Sequence, residues 1–133
     1  MGILIDSSIF IAAERRKLDL DGLLVAHGSE PLAIASITAS ELLHGVHRAQ
    51  TAQQKEQRST FVEAILSRMP ILPFNLATAR VHAALWARLA SAGTPIATHD
   101  LLIAATAIAH AYRVATHDMR SFPKIPGVDV LTW

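Results

Sequence analysis

The hexapeptide Ile3-Leu4-Ile5-Asp6-Ser7-Ser8 changes from aliphatic to polar residues, and this change decides the fold. Its first three residues are large and aliphatic, as expected of a strand that is buried on both faces of a parallel sheet. The chain then turns polar at once, with a carboxylate followed by two hydroxyl side chains. We therefore predict a strand over Gly2–Ile5 that ends at Asp6, and a helix over Ser7–Lys17 that begins directly after it.

Outward from this stretch, short apolar runs alternate with longer segments of helical periodicity. Further strands are predicted at Leu32–Ala35, Ile71–Leu72, Arg113–Thr116 and Val128–Leu131. Further helices are predicted at Leu18–His27, Thr38–Arg48, Thr51–Arg68, Leu76–Ala92 and Thr98–Tyr112. This alternation predicts an α/β sandwich around a mainly parallel sheet. Since no repeat, low-complexity segment or linker interrupts it, we expect one domain over residues 1–133.

Composition excludes several classes of protein. The chain has 133 residues, of which 51% are hydrophobic, so it can bury a core and is not a disordered segment. It has no cysteine and therefore no disulfide or thiolate metal site. The longest apolar run, Leu101–Ala109, is about half the ~20 residues that a membrane span needs, and no basic segment of a signal peptide precedes the first strand. We expect a soluble, cytoplasmic protein, whose net charge of +1 does not by itself indicate nucleic-acid binding.

Four of the eleven acidic residues fall at the ends of predicted elements, next to apolar segments. Asp6 ends the first strand, and Glu41 lies in the first turn of the helix after the second strand. Asp118 follows the fourth strand, and Asp100 opens the apolar helix before it. Parallel α/β sheets bind ligands at the carboxyl ends of their strands. Each acid also has an ordinary structural explanation, because helix caps, a Thr38–Glu41 capping box and loop turns all favour acidic residues.

Taken together, the four acids predict a site for a cation. Two carboxylates repel each other by roughly 4 kcal/mol when they are about 4 Å apart at a protein surface. Either some of them are protonated or a cation is bound. A set of oxygen ligands suits Mg²⁺ or Mn²⁺, and such an ion can activate water for in-line attack on a phosphodiester.

Four segments line up in order with the motifs of one family. They are Ile3-Leu4-Ile5-Asp6-Ser7-Ser8, then Ile37-Thr38-Ala39-Ser40-Glu41-Leu42-Leu43-His44-Gly45, then Gly93-Thr94-Pro95-Ile96 with Asp100-Leu101-Leu102-Ile103-Ala104-Ala105, and finally Thr116-His117-Asp118-Met119-Arg120-Ser121-Phe122. In this order and at these distances they resemble the PIN-domain family, and within it most closely the VapC toxins of toxin–antitoxin pairs. The resemblance covers essentially the whole chain.

The resemblance implies a three-layer α/β/α PIN fold and a selective endoribonuclease activity. It implies Mg²⁺, which Mn²⁺ can replace, at the four acids Asp6, Glu41, Asp100 and Asp118. Ser8 and Thr116 are then expected to line the same site and to bind water or phosphate. A homodimer and a VapB-type antitoxin partner are also implied.

Two features fit the resemblance less directly. Family members often have Asn two residues after the Thr of the last loop and Asp three residues later, whereas this chain has Asp118 and Ser121 there. In addition, the predicted helix over 76–92 should lead away from the carboxyl edge of the sheet. The predicted boundaries do not explain how Asp100 returns to that edge, so its placement follows from the resemblance alone.

Surface contacts are predicted from composition. Apolar residues on the helices Thr38–Arg48 and Thr51–Arg68 exceed what a small core requires and predict a dimer surface there; they are Leu42, Leu43, Val46, Phe61, Ile65 and Leu66. Four cations are candidates for phosphate contacts: Arg15, Arg16, Lys17 and Arg120. The first three also fit an ordinary solvated helix end. With so little surface for an extended site, we expect cleavage of a narrow set of structured RNAs, such as tRNA or ribosomal RNA.

Two other classes of protein compete with this interpretation. His99-Asp100 and His117-Asp118 are His-Asp pairs, as in HD-type phosphohydrolases, another metal-dependent class. Those proteins are all-helical, and the strand-like runs argue against them. The non-enzymatic alternative is a PIN-fold interaction module that cuts nothing. A damaged acidic set would indicate such a module, and this sequence keeps four acids.

Overall fold

Five short strands form one parallel sheet. The computed structural model describes all 133 residues, and its strands are β1 Ile3–Ile5, β2 Leu32–Ala35, β3 Ile71–Leu72, β4 Arg113–Ala115 and β5 Val130–Leu131. Their order across the sheet is β3-β2-β1-β4-β5, and every neighbouring pair is parallel. The predicted parallel α/β sheet is confirmed. Because β1 is its central strand, Asp6 emerges from the middle of the carboxyl edge.

Six α-helices cover the two faces of the sheet. They are α1 Ser7–Glu14, α2 Leu20–Ala26, α3 Ser36–His47, α4 Ala52–Arg68, α5 Leu76–Ser91 and α6 Thr98–His110, and a short 3₁₀ helix at Phe122–Lys124 adds to them. Ile3 and Ile5 pack among residues of α1 to α4, whereas Leu4 points the other way and packs among residues of α5 and α6. This alternation gives the three layers that the family resemblance implies. None of the helices combines the length and hydrophobicity that crossing a lipid bilayer requires.

Two helix boundaries differ from the prediction in ways that affect the site. Helix α1 ends at Glu14 rather than Lys17, and Arg16 adopts a left-handed backbone with φ 58°. Helix α3 begins at Ser36, directly after β2, so Thr38 lies inside the helix and not at its cap. The predicted Thr38–Glu41 capping box is therefore wrong. The Thr38 hydroxyl is buried and has no hydrogen-bond partner.

The start of α6 places Asp100 at the carboxyl edge. Helix α5 packs chiefly against α6, and its Leu85 and Leu89 belong to the core on that side of the sheet. The start of α6 lies beside α3, where His99 meets Glu41. Asp100 follows His99 and so arrives at the same edge as Asp6.

The dimer surface predicted on α3 and α4 is wrong. Its residues belong to the core on that side of the sheet, with Leu42, Val46 and Ile65 buried and Leu43, Phe61 and Leu66 partly buried. The reason is that α3 and α4 pack on each other, and α3 also packs on α1, so their apolar faces are already covered. Large apolar side chains are exposed instead on and just before α5, at Phe74, Leu76 and Trp86.

Candidate active site at the carboxyl edge of the sheet

Asp6 is the most deeply buried of the four predicted acids. It is 4% exposed and occupies the cap position of α1 in extended conformation, yet its side chain caps no backbone N–H. Its Oδ2 instead accepts hydrogen bonds from Ser8 Oγ at 2.7 Å and from Thr116 Oγ1 at 2.8 Å. The helix-capping explanation for Asp6 is therefore wrong, and the carboxylate is held between the first turn of α1 and the end of β4.

Ser8 and Thr116 also hold the loop that follows β4. Ser8 Oγ accepts a hydrogen bond from the backbone N–H of His117 at 3.0 Å, and Thr116 Oγ1 accepts one from the backbone N–H of Asp118 at 2.9 Å. The two hydroxyl oxygens lie 3.3 Å from each other. Because each hydroxyl donates to Asp6 and accepts from the loop, the backbone before Asp118 is fixed relative to the buried carboxylate.

Asp100 and Asp118 form an acid pair. Burial and the nearby carboxylates of Asp118 and Asp6 raise the pKa of Asp100 to about 6, against an opposing hydrogen bond from Ser121. Although partial burial opposes the change, hydrogen bonds from the Arg120 backbone and from the Asp100 side chain lower the pKa of Asp118. The pair therefore holds one proton below about pH 6, and Asp100 carries it.

Asp118 has a second role in its own loop. Its Oδ1 accepts hydrogen bonds from the backbone N–H groups of Arg120 at 2.9 Å and Ser121 at 3.3 Å. This is the turn that an acidic residue commonly begins. The ordinary structural explanation for Asp118 thus holds, and the same side chain also pairs with Asp100.

Glu41 reaches the site from α3. Its Oε2 lies 3.4 Å from His99 Nδ1, whereas its Oε1 is buried and has no hydrogen-bond partner. Burial and the charge of Asp6 raise the pKa of Glu41, while His99 lowers it. A buried carboxylate oxygen without a partner is unfavourable unless a proton or a cation reaches it.

The donor set fits a hard divalent cation, although no three of the histidine and acidic side chains are close enough to form a ready-made metal cluster. The Asp6 charge raises the pKa of both Glu41 and Asp100, so mutual repulsion links the buried acid to two of its neighbours. The unpartnered Glu41 Oε1 adds a free oxygen ligand. Mg²⁺ and Mn²⁺ prefer such oxygen ligands, and a bound cation would relieve the repulsion.

Comparison with known proteins identifies the family to which this fold belongs. The family described as PIN domain matches residues 3–128. The chain belongs to the PIN-domain family. It is 36% identical to Ribonuclease VapC of Rickettsia bellii over 99% of this chain and 96% of that protein. It is 32% identical to the tRNA(fMet)-specific endonuclease VapC of Salmonella typhimurium over 77% of this chain and 75% of that protein.

A solved structure shows how far this similarity extends. The crystal structure of VapBC2 from Rickettsia felis, bound to a promoter DNA fragment, superimposes with a TM-score of 0.90 at 28% identity and covers 100% of this chain and 99% of that chain. The PIN-domain resemblance predicted from the sequence motifs is therefore confirmed. The PIN fold also confirms the predicted three-layer architecture.

A groove of about 790 Å³ opens beside Glu41 in this PIN domain, between α1, α3 and α4. His99 and Glu41 line it near the acidic site, and Arg15 and Arg48 line it just beyond the ends of α1 and α3. Of the four cations predicted to contact phosphate, only Arg15 lines the groove. Arg48 was not predicted from the sequence, although it follows Glu41 by seven residues, a spacing that places two residues on the same side of a helix.

His99 and Ser121 are further residues that the sequence did not assign to the PIN site. His99 contacts Glu41, and Ser121 donates a hydrogen bond that lowers the pKa of Asp100. Each is next to, or three residues from, a predicted acid, and that proximity was the only available signal. Arg120 contributes its backbone N–H to Asp118, and its side chain is exposed.

Proposed function

We propose that this PIN domain, a single domain over residues 1–133, is an Mg²⁺- or Mn²⁺-dependent endoribonuclease and the toxin of a toxin–antitoxin pair. One observation carries the proposal: a buried Asp6 carboxylate, held by two hydroxyls, lies among three further acids whose charges perturb one another. The relatives named as ribonuclease and as tRNA endonuclease support RNA as the substrate.

The proposed ligands are Asp6, Glu41, Asp100 and Asp118. An ion bound to them would polarise a phosphate oxygen and supply an activated water. The chain's own contribution is to hold the carboxylates in place. Ser8 and Thr116 orient Asp6, and Asp100 gives up its proton above about pH 6 and is therefore available as an anion at neutral pH. We assign Ser8, Thr116 and Arg120 to the positioning of water or substrate.

A VapB-type antitoxin is the proposed partner, because related solved structures are described as VapBC complexes. We also propose a homodimer that forms through α5. Leu76 is 68% and Trp86 is 63% exposed on this helix, and the exposed Ala83, Ala87 and Ala90 would let a second helix approach closely. Contiguous exposed apolar surface of this kind is typical of a protein interface. The absence of cysteine is consistent with the reducing cytoplasm, where we place the protein.

The direct test is cleavage of bulk tRNA and of ribosomal RNA by the purified protein, with Mn²⁺ in one set of reactions and EDTA in the other. Sequencing the new ends identifies the bonds that are cut. We expect cuts at a few positions with Mn²⁺ and none with EDTA. Even cutting of every RNA would contradict selectivity, and cutting in EDTA would contradict the metal site. A folded protein that binds an antitoxin but cuts no RNA would favour the interaction module.

A further inference from the structure

The groove between α1, α3 and α4 is polar along its length. Only 3 of its 15 lining residues are hydrophobic. Burying apolar side chains therefore supplies little of the free energy of binding for any occupant. A polar, extended ligand that makes charged contacts fits such a surface better than an apolar helix does.

The arginines that line the groove differ in whether they already have partners. Arg58 is engaged, because its Nε lies 3.3 Å from Glu14 Oε1 and its Nη1 donates to the carbonyl oxygen of Gly45 at 3.0 Å. Arg15 and Arg48 take part in no ion pair and no side-chain hydrogen bond within the chain. These two guanidinium groups are free to bind an anion from outside.

The position of these arginines relative to the acids is set by helix geometry. Glu41 and Arg48 are seven residues apart on one face of α3, which corresponds to about 10 Å along the helix axis. Arg15 lies just beyond the end of α1 and lines the same groove. The groove thus has Glu41 of the acidic site in its lining, one unpaired cation about 10 Å from Glu41 along α3, and a second at the end of α1.

Cations at the end of a helix also stabilise the helix dipole, which accounts for one arginine on each helix. The dipole does not require both side chains to line the same groove as a carboxylate of the acidic site. An RNA strand fits this arrangement, because its phosphates carry one negative charge per nucleotide and recur at regular intervals along the groove.

We infer that a single strand of RNA lies in this groove, with Arg15 and Arg48 on phosphates that flank the bond that is cut. The inference rests on the proposed nuclease function, since it takes the bond that is cut to lie at the acids. Arg15 and Arg48 contact the sugar–phosphate backbone and not the bases. They therefore add affinity without adding sequence preference.

The test is the binding of a fluorescein-labelled single-stranded RNA of mixed sequence, followed by fluorescence anisotropy in EDTA, where no cutting occurs. The test variant is the double change Arg15→Gln and Arg48→Gln. We expect its dissociation constant to rise about tenfold, and the slope of log K against log salt to decrease by about 1.4, the value for two contacts to a single strand. The matched control is Lys55→Gln with Arg68→Gln, two exposed cations of α4 outside the groove, which should leave both quantities unchanged.

Circular dichroism and light scattering verify that all three proteins have the same fold and oligomeric state. With Mn²⁺ added, the groove variant should show a higher KM and an unchanged kcat. Asp6→Asn should still bind RNA in EDTA, and in Mn²⁺ it should cut RNA about 1,000-fold more slowly than the parent. A groove variant that binds RNA with the parent's affinity and salt slope overturns the inference and leaves the nuclease function standing. Loss of antitoxin binding with RNA binding intact overturns it in favour of a protein occupant. If the parent neither binds nor cuts RNA, the proposed function itself fails.

Discussion

The two sides of the acidic site are built in different ways. Asp6 comes from the central strand, is 4% exposed, and has hydroxyl partners at 2.7 Å and 2.8 Å. Glu41, Asp100 and Asp118 arrive on two helices and a loop and are only partly buried. Glu41 has an oxygen without a hydrogen-bond partner, and Asp100 and Asp118 share a proton. The sheet thus fixes one carboxylate in advance. We call the other three acids the loosely held side, because Glu41 and Asp100 have few fixed partners and a cation would draw them towards Asp118, which is held by its own loop.

Asp6→Asn tests the fixed side and should have the largest effect. The change keeps the shape and removes the charge, so the cation loses the one carboxylate that is already in place. We expect RNA cleavage to fall by about 1,000-fold, equivalent to several kcal/mol of lost transition-state stabilisation. The measurement is the initial rate of RNA cleavage in Mn²⁺.

The control for this prediction is Glu63→Gln, which also neutralises a carboxylate but at an exposed acid of α4 that does not line the groove. Its cleavage rate should stay near that of the parent. Far-UV circular dichroism should show the same helix content for both variants. Cleavage by Asp6→Asn at the parent rate would show that the acidic site is not the centre of the reaction.

Addition of divalent metal tests the loosely held side. A cation that binds only the folded chain, at 100 times its dissociation constant, adds roughly 2.7 kcal/mol to the free energy of unfolding. For a chain of this size that raises the melting temperature by about 10 °C. The measurement is thermal unfolding in EDTA and in millimolar Mn²⁺. A melting temperature that is the same in both would rule out a cation site at these acids.

Thr116→Val tests how much the fixed side depends on its hydrogen bonds. The change removes the donor to Asp6 and the acceptor for the Asp118 N–H while keeping the shape of the side chain. By analogy with residues that orient metal ligands, we expect metal affinity and cleavage to fall by about 10–100-fold. Thr116→Ser keeps the hydroxyl and should retain most of the activity. Full activity in Thr116→Val would show that the hydroxyl is not needed to hold Asp6.

The fixed side was also the more predictable one. The strand at β1 and the acid that follows it come from a local pattern, because a buried parallel strand is a continuous apolar run whatever surrounds it. The local pattern gave a wrong prediction for Thr38 as a helix cap, because α3 begins at Ser36 directly after β2 and Thr38 lies inside the helix. It also failed for the apolar faces of α3 and α4, whose burial depends on how the helices pack together.

The contacts of the loosely held side depend on distances that no local pattern encodes. His99 and Glu41 are 58 residues apart in sequence, and their contact follows from the way α5 packs on α6 and carries the start of α6 towards α3. Asp100 and Asp118 meet for the same reason. The positions of Asp6, Glu41 and Asp118 at the ends of predicted elements indicated a common site, although each of these acids also fits a helix end or a turn. The placement of Asp100 in that site followed from the family resemblance alone.

The proton shared by Asp100 and Asp118 predicts how stability depends on pH without metal. The pKa of Asp100 is about 6 in the folded chain against an ordinary value of 3.8. Between these two values the folded chain binds more protons than the unfolded chain, so the free energy of unfolding decreases as the pH rises. The contribution of Asp100 is fully present below the lower value and is lost as the pH passes about 6.

The measurement is urea unfolding in EDTA across this range of pH, for the parent and for Asp100→Asn. The raised pKa of Glu41 also makes the free energy of unfolding decrease as the pH rises. The hydrogen bond from Arg113 lowers the pKa of Glu30, which makes the free energy of unfolding increase with pH. Because both groups remain in the variant, the difference between the two curves isolates the acid pair. A difference that does not change with pH would contradict the shared proton.

His99 makes the weakest contact in the site and should have the smallest effect. Its Nδ1 lies 3.4 Å from Glu41 Oε2, a long hydrogen bond, and its side chain is 54% exposed. The contact orients Glu41, so that losing it should weaken Mn²⁺ binding and lower kcat by about threefold to tenfold, the worth of one modest hydrogen bond. His99→Phe keeps a ring and removes the N–H, whereas His99→Asn can place its amide N–H near the position of Nδ1. We expect His99→Phe to show the lower Mn²⁺ affinity and the lower kcat. His99→Asn should keep both quantities near the values of the parent, with the Mn²⁺ affinity measured by calorimetry. Equal losses in both variants would mean that the imidazole acts through its size or exposure, and that Glu41 is positioned by the packing of α3 alone.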